Sequence, residues 1–239
     1  MINILVLGHK GMLGHMVCKL FNRNTNYKVS TIDERFPNWN KEMFDGIDFV
    51  INCIGAIPQK INKFDINWEL PIWLNNNTNC KIIHPSTDCE YDNSDYGVSK
   101  RIATDYIKGY CKKTKIIQTS IIGPELNSND SLLEWFLSQK GEVEGYTKAI
   151  WNGVTTLEWA KQCLNLMNNW DKTSIVTILS SDKISKFRLL HTIQECYGKT
   201  DVIIMPKELG KDKSLSGNIK TKKIGKQILE LIKFNNKNY

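Results

Sequence analysis

The first fourteen residues, MINILVLGHKGMLG, constrain the fold more than any other part of the chain. A short apolar run with the composition of a buried strand leads directly into three glycines spaced G-x-x-G-x-x-G, and helical spacing follows. This order predicts a turn at which the backbone approaches the pyrophosphate of a dinucleotide over a helix N-terminus. An ordinary tight turn is the alternative. The residues predicted to meet the cofactor here are Gly8, Gly11, Met12, Leu13 and Gly14.

An acidic residue closes the second predicted strand, YKVSTID. Asp33 lies about 20 residues beyond the last glycine, where an acid usually accepts hydrogen bonds from the adenosine ribose hydroxyls. That position favours NAD. Arg35, two residues further on, could instead pair with the 2′-phosphate of NADP, so the sequence leaves the choice of cofactor open. A simple turn beginning at Asp33 is the remaining alternative.

Short apolar runs alternate with segments of helical spacing through the first half of the chain. This alternation predicts an α/β fold, a Rossmann-type doubly wound parallel sheet with helices on both faces. Only a short helix fits between Asp33 and Ile47, so we expect the third strand of that sheet to be missing or vestigial. We expect residues 1–125 to form the dinucleotide-binding domain, and residues 126–239 a smaller substrate-binding lobe that partly returns to the sheet.

A tyrosine and a lysine four residues apart, Tyr96 and Lys100, open one of the helical segments. On one helical face they would be neighbours, and a nearby ammonium stabilises a phenolate. The preceding strand ends in hydroxyl residues, and Thr87 lies where a hydroxyl could polarise a substrate carbonyl while Tyr96 delivers a proton. These residues predict acid–base catalysis on a carbonyl. A surface pair is the alternative for the tyrosine and lysine, and a capped turn is the alternative for Ser86, Thr87 and Asp88.

Composition argues against several classes of protein. Seven cysteines are scattered without a C-x-x-C pair, which favours thiols over disulfides and argues against a metal site. The net charge of +7 is concentrated near the C-terminus without a nucleic-acid motif, so we expect a solvated surface that can also steer an anionic substrate. Without a signal-peptide pattern or a run of roughly 18 apolar residues, we expect a cytoplasmic protein with no membrane partner.

Motifs spread over most of the chain resemble the extended short-chain dehydrogenases, and among them the dTDP-4-dehydrorhamnose reductase family and related nucleotide-sugar reductases. The matching segments are LVLGHKGMLGHMV, VINCIGAI, PSTDC, YGVSK, TSIIGPEL and GYTKAIWNGVTTLEWAK. The resemblance implies that Thr87, Tyr96 and Lys100 are the catalytic residues. It also implies that Lys100 contacts the cofactor and that Asn67 is a structural fourth member of the site.

The same resemblance implies where the cofactor and the substrate bind. The loop after VINCIG would line the cofactor, and the segments 120–124 and 149–155 would border a sugar-nucleotide pocket. The cofactor residues in that loop are Cys53, Ile54, Gly55 and Ala56, with an ordinary buried thiol as the alternative for the cysteine. The substrate residues are Ser86, Asp88, Ser120, Ile121, Trp151, Asn152 and Lys213.

The activity implied by the resemblance is reduction by NADH or NADPH of a keto group, at C4, on a deoxy-sugar nucleotide in polysaccharide precursor biosynthesis. Two alternatives stay open. One is an epimerase or dehydratase that uses the same site and returns the hydride to the sugar, and the other is a non-catalytic NAD(P)-binding sensor or interaction protein. The expected partner is a nucleotide-sugar substrate, with no nucleic acid, and a homodimer is a family expectation.

Two departures from the family concern the catalytic region. A longer loop usually separates the catalytic threonine from the tyrosine, whereas Thr87 and Tyr96 are nine residues apart here. The arginine that commonly precedes the T-S pair is Gln118 in this chain. The shorter loop lacks residues that normally shape the pocket, and it motivates the sensor alternative.

Overall fold

The structure is a computed structural model that describes residues 1–236. Strands and helices alternate through the first half. The strands are β1 (Ile2–Leu7), β2 (Tyr27–Thr31), β3 (Phe49–Asn52), β4 (Lys81–Ser86) and β5 (Thr114–Gln118), and the helices are α1 (Met12–Phe21), α2 (Ile66–Asn77) and α3 (Asp95–Tyr110). Two short 3-10 helices, Lys41–Phe44 and Asp88–Tyr91, lie in the connections.

The remaining described elements are eight strands and four helices. The strands are β6 (Ile121–Ile122), β7 (Gly141–Tyr146), β8 (Ile150–Trp151), β9 (Val154–Thr155), β10 (Val176–Ser180), β11 (Ile184–Ser185), β12 (Val202–Lys207) and β13 (Ile219–Lys220). The helices are α4 (Leu132–Ser138), α5 (Thr156–Asn168), α6 (Lys186–Tyr197) and α7 (Ile224–Asn236). A third 3-10 helix, Trp170–Lys172, follows α5.

The main sheet has seven strands in the order β13-β10-β5-β4-β3-β1-β2. Strand β1 pairs in parallel with both β2 and β3, and β4 pairs in parallel with β3 and β5. Every residue of β3 and of β5 is buried, as expected for parallel strands covered on both faces. The predicted Rossmann-type α/β fold is confirmed.

The third strand of the usual sheet is missing, as the sequence predicted. Strand β2 is the edge of the sheet, and within the described residues only the 3-10 helix Lys41–Phe44 lies between β2 and β3. Trp39 and Phe44 from this connection are buried in a core cluster with Leu7 and Val50. The Trp39 indole N–H donates to the carbonyl of Glu34 at 2.7 Å, so the segment buries aromatic side chains in place of a strand.

The chain divides into two compact units. The first comprises Met1–Gln118 and Ala160–Thr177, and the second comprises Thr119–Trp159 and the described residues from Ile178 onward. In the first unit, buried Lys115 of β5 donates to carbonyls at Trp170 and Thr173. Residues 160–177 therefore belong with the sheet although they are distant in sequence.

The second unit is built from small sheets and helices. Strand β6 pairs in parallel with β9, β7 pairs in parallel with β12, and β8 pairs antiparallel with β11. The buried amide of Gln227 in α7 accepts a hydrogen bond from the N–H of Thr155 and donates to Thr221 Oγ1 and to the carbonyl of Lys222. This side chain ties α7 to the end of β9.

Within residues 1–236, we find no helix with both the length and the apolar character that a bilayer crossing requires.

Candidate active site

The carboxyl ends of three neighbouring parallel strands bring the predicted site residues of the first unit together. Gly8 follows β1, Cys53 follows β3 and Thr87 follows β4, and these strands are adjacent in the sheet. Ligands of open α/β sheets bind at this edge. The site is therefore where the fold predicts one.

The glycine turn leaves no room for side chains. Gly8 has a φ of +74°, and a Cβ there would lie 3.0 Å from the backbone carbonyl of Cys53. A Cβ at Gly14 would lie 2.2 Å from the Gly8 carbonyl oxygen. The N–H of Gly11 donates to that same oxygen at 2.9 Å and closes the turn. The first glycine allows the turn, and the third allows α1 to pack closely against it.

Helix α1 presents its N-terminus at this turn. It begins at Met12 with Gly11 as the N-cap, and among the described residues no side chain caps it. N–H groups in the first turn of a helix have no intrahelical acceptor, and the helix dipole favours an anion there. An uncapped helix N-terminus that follows a tight glycine turn fits the pyrophosphate of a dinucleotide.

Asp33 lies just beyond the edge strand and forms an ion pair that the sequence interpretation missed. Its Oδ1 is 2.5 Å from Lys10 Nζ and 3.5 Å from His9 Nε2, and its side chain is 72% exposed. The hydrogen bond from Lys10 lowers the pKa of the Asp33 carboxyl. Arg35 is exposed two residues further on. A lysine inside the glycine turn was the available signal, because that turn must face the end of β2.

A buried asparagine fixes the loop after β3. Asn67 in α2 is 1% exposed, accepts from the N–H of Ala56 at 2.8 Å and donates to the Ala56 carbonyl at 3.0 Å. It also donates to Ser99 Oγ in α3 at 3.0 Å. A Cβ at Gly55 would lie 3.3 Å from Lys100 Nζ, so this loop runs directly over the lysine. Asn67 thus has the contacts of a structural member of the site.

A second buried amide supports the same loop. Asn52, at the end of β3, accepts from the N–H of Ile54 at 3.0 Å, and its Nδ2 lies 3.1 Å from Nδ1 of buried His84. Burial and the charge of Lys100 hold the pKa of His84 well below its usual value, so the imidazole is neutral. Burial raises the pKa of the Cys53 thiol, which is the behaviour of an ordinary buried cysteine.

Thr87, Tyr96 and Lys100 come together beside this loop. Thr87 caps the 3-10 helix Asp88–Tyr91, accepting from the N–H of Cys89 at 3.2 Å, and its hydroxyl donates to Asp88 Oδ1 at 2.9 Å. The Thr87 side chain is close enough to Tyr96 to lower the pKa of its phenol, although the connection between the two is short. Thr87 can therefore cap the 3-10 helix and also belong to the candidate site.

Helix α3 sets the directions of the tyrosine and the lysine. It begins after Ser94, whose side chain accepts from the N–H of Gly97. The ring of Tyr96 packs edge-to-face on Phe64 with centroids 5.8 Å apart, and Lys100, one turn later, donates to the Pro85 carbonyl at 3.4 Å. The four-residue spacing places both groups on the helix face toward β4.

Burial acts in opposite directions on these two groups. It raises the pKa of Tyr96, an effect that the hydrogen bond with Thr87 partly offsets, so the phenol keeps its proton at neutral pH. It lowers the pKa of Lys100 to about 8. A protonated phenol next to a lysine that is still mostly an ammonium is an arrangement that can donate a proton and stabilise the phenolate left behind.

The sequence interpretation also missed a buried carboxylate, Glu90. It is 5% exposed and accepts hydrogen bonds from Ser86, Thr104 and Gln118. No motif marked it, since a single glutamate in a short polar connection is usually solvated. The hydroxyl hydrogen of Ser86, a predicted substrate residue, is directed at Glu90. Asp88, another predicted substrate residue, is 8% exposed and accepts from Thr87.

The other predicted substrate residues lie in the second unit, where backbone contacts join their segments. The Ser120 carbonyl accepts from the N–H of Val154, at the start of the β6–β9 pair that includes Ile121, and the N–H of Lys213 donates to Ile150. Trp151 is 4% exposed, and the amide of Asn152 is bonded to the backbone of Leu215 on both sides. Lys213 is exposed. The residues that contact substrate remain a prediction.

Known proteins resemble this chain in structure rather than in sequence. No protein-family model and no curated protein sequence matches it. A dTDP-4-dehydrorhamnose reductase from Clostridium acetobutylicum superposes with a TM-score of 0.75 at 18% identity, over 98% of this chain and 99% of that one. The chain has its fold. A dTDP-4-dehydrorhamnose reductase from Bacillus anthracis in complex with NADP gives 0.78 at 13% identity, over 97% and 99%.

The same fold is shared by enzymes of related names. The dTDP-glucose 4,6-dehydratase of Bacillus anthracis in complex with NAD superposes with a TM-score of 0.70 at 17% identity, over 100% of this chain and 97% of that one. Reductases and a dehydratase are thus similar to this chain in fold, and its own side chains must distinguish between them.

Proposed function

We propose that this chain is an NAD(P)H-dependent reductase of a keto group, at C4, on a deoxy-sugar nucleotide, similar in activity to the dTDP-4-dehydrorhamnose reductases. One observation carries the proposal: Thr87, Tyr96 and Lys100 meet at the carboxyl edge of the sheet, beside a glycine turn that has no room for side chains. The similar structures named for complexes with NADP and NAD support the same cofactors here.

The residues that would hold the cofactor come from three strand ends. The pyrophosphate would lie at Gly8, Gly11 and the first turn of α1, next to Met12 and Leu13. Asp33, Lys10 and Arg35 would face the adenosine ribose, and the loop from Cys53 to Ala56, fixed by Asn67, would line the nicotinamide side with Lys100. A reduced nicotinamide bound there would supply the hydride.

Proton transfer is the part of the reaction that these side chains perform. Tyr96 is protonated at neutral pH and donates its hydroxyl proton to the carbonyl oxygen as charge develops on it. Thr87, close to Tyr96, supplies a second hydroxyl for that oxygen once its hydrogen turns away from Asp88. The Lys100 ammonium stabilises the phenolate that remains.

The proposal keeps the substrate residues that the resemblance implies. Ser86 and Asp88 lie next to Thr87, while Ser120, Ile121, Trp151, Asn152 and Lys213 belong to the second unit. An exposed lysine such as Lys213 suits a diphosphate, to which it binds as a point charge. We propose a cytoplasmic location and leave the homodimer as an expectation of the same resemblance.

Two alternatives are addressed by specific observations. An epimerase or dehydratase of the same fold is supported by the likeness to a dTDP-glucose 4,6-dehydratase. The sensor alternative rests on the short connection between Thr87 and Tyr96, but this connection folds into a 3-10 helix and leaves Thr87 close enough to Tyr96 to lower the pKa of its phenol. That proximity favours catalysis.

The test is a panel of 4-keto sugar nucleotides offered to the purified protein with NADH and with NADPH. We expect net, stoichiometric oxidation of one reduced cofactor by at least one 4-keto-6-deoxy sugar nucleotide. In a second arm with oxidised cofactor, conversion of a sugar nucleotide that has a 4-hydroxyl group, without net change in the cofactor, would identify an epimerase or dehydratase instead. Cofactor binding by calorimetry with no conversion of any member would favour the sensor.

A further inference from the structure

The 3-10 helix between Thr87 and Tyr96 contains Glu90, whose carboxylate is almost completely buried. Glu90 is 5% exposed, and its oxygens accept hydrogen bonds from three different elements. Ser86 donates from the end of β4, Thr104 from α3 and Gln118 Nε2 from β5, the last at 3.1 Å. A buried carboxylate is costly unless it is hydrogen-bonded and close to an opposite charge.

The three donors are neutral, so they satisfy the lone pairs of Glu90 without balancing its charge. Lys100, also 5% exposed, lies one turn before Thr104 in α3 and contacts the carbonyl of Pro85, the residue before Ser86, so a buried cation lies beside two of the donors to Glu90. The attraction between the two charges raises the pKa of Lys100 and lowers that of Glu90, against the effect of burial on each. The long hydrogen bond from Lys100 to the Pro85 carbonyl, at 3.4 Å, cannot supply a counter-charge.

The other charged groups near Glu90 do not neutralise its carboxylate. Asp105 in α3 raises the pKa of Glu90, and Arg101 donates to the backbone carbonyl of Glu90 at 2.9 Å rather than to its carboxylate. Asp88, on the same 3-10 helix, accepts from Thr87. His84 in β4 is neutral. Among these groups, Lys100 is therefore the buried cation that can balance the charge of Glu90.

Gln118 extends the network to the backbone of the candidate catalytic threonine. Its Nε2 donates both to Glu90 Oε2 and to the carbonyl of Thr87, each at 3.1 Å. Strands β4 and β5 pair in register at Ser86 and Gln118, so the amide lies directly beside this strand end. The carboxylate is thereby connected to Thr87 through one side chain.

We propose that Glu90 is a positioning residue of this site, whose buried carboxylate is the counter-charge that keeps Lys100 an ammonium and, through Gln118, holds Thr87 in place. The inference rests on the proposed function for its role in turnover. It assigns no chemistry to Glu90, which does not touch the reacting atoms.

The direct test titrates Lys100 in the cofactor-free protein by NMR of ¹³C-labelled lysine side chains, with Lys100→Arg used to assign the signal. We expect Glu90→Gln, which removes the charge but keeps the shape, to lower the Lys100 midpoint by about one pH unit. Thr104→Val is the matched control: it removes one hydrogen bond to Glu90 but keeps the charge, and it should leave the midpoint within a few tenths. An unchanged midpoint in Glu90→Gln would overturn the proposal.

A reciprocal measurement keeps the test decisive should Glu90→Gln fail to fold. The carboxyl signal of Glu90 is titrated in the wild type and in Lys100→Met. Since coupling between two sites is mutual, loss of the ammonium should raise the Glu90 midpoint by about the same amount. Equal midpoints in the two proteins would show that the groups do not interact, and the proposal would be wrong.

Turnover separates this inference from the proposed function. With a sugar nucleotide that the wild type reduces, Glu90→Gln should move the alkaline fall in kcat/KM to lower pH by the shift measured for Lys100, whereas Thr104→Val should not move it. A wild-type pH profile in Glu90→Gln would overturn the positioning role and leave the reductase proposal standing. Coupled midpoints in a protein that reduces no member of the panel would refute the reductase and support the pairing.

Discussion

At the scale of single residues, one buried environment shifts the pKa values of Tyr96 and Lys100 in opposite directions. Burial disfavours the charged form of each, so the tyrosine keeps its proton and the lysine loses its proton more easily. The carboxylate of Glu90 opposes that loss at Lys100. In the proposed mechanism, this environment keeps the proton on Tyr96, the donor, and a positive charge on Lys100, beside which the phenolate forms.

The pH dependence of turnover follows from Lys100. The ammonium is the active form, and it is present below its midpoint and lost as the pH rises through about 8. We expect kcat/KM for carbonyl reduction to be level near pH 6.5–7 and then to fall by about tenfold per pH unit well above the midpoint. The measurement is a pH–rate profile of NAD(P)H oxidation. A profile that stays level to about pH 10 would remove Lys100 from the mechanism.

We expect the choice of cofactor to depend on the ion pair between Lys10 and Asp33. While Lys10 balances the carboxylate, a 2′-phosphate meets little repulsion, and the same lysine can turn to meet it. We expect Lys10→Ala to raise the Kd for NADPH by about tenfold and to change the Kd for NADH much less. Lys28→Ala, an exposed lysine on β2 with the same change in charge, is the control. Equal weakening of both cofactors by Lys10→Ala would contradict this role.

At the scale of elements, the strand-turn-helix unit β1–α1 depends on the missing Cβ of Gly14. A methyl group there would collide with the Gly8 carbonyl at 2.2 Å, which forces α1 away from the turn. We expect Gly14→Ala to destabilise the protein by about 1–3 kcal/mol and to weaken dinucleotide binding at least tenfold, measured by thermal unfolding and calorimetry.

The matched control for that substitution is in helix α3. A Cβ at Gly109 would meet no atom within 4 Å, and alanine is the better helix former by about 1 kcal/mol. Gly109→Ala should therefore leave binding unchanged and the stability equal or higher. Tight dinucleotide binding by Gly14→Ala would show that the turn is not the cofactor site.

The turn and the Tyr96–Lys100 pair could be predicted from the sequence because their spacing reflects local geometry, a tight turn off a strand and one turn of a helix. Asn67 and Glu90 could not be derived in the same way. Asn67 acts by contacts between α2, α3 and the loop after β3, and Glu90 by contacts among β4, α3 and β5. Such partners are distant in sequence and leave no period or spacing.

At the scale of the whole molecule, the class of the fold followed from alternating apolar runs, and the short segment after Asp33 predicted the missing strand. What replaces that strand, an aromatic cluster around Trp39, depends on tertiary packing and has no local signature. The first unit is built from two separate stretches of the chain, and no local sequence pattern indicates this. Lys115 joins residues 160–177 to the sheet through hydrogen bonds to residues more than fifty positions away.

The central claim is that Tyr96 is the proton donor of a carbonyl reductase, and single-turnover reduction of a 4-keto sugar nucleotide tests it most directly. We expect Tyr96→Phe to slow the oxidation of bound NAD(P)H by about 10²–10⁴-fold with unchanged dinucleotide affinity. Tyr91→Phe, which alters an exposed tyrosine of the same connection, should react at the wild-type rate. A Tyr96→Phe protein that reacts as fast as the wild type would contradict the account.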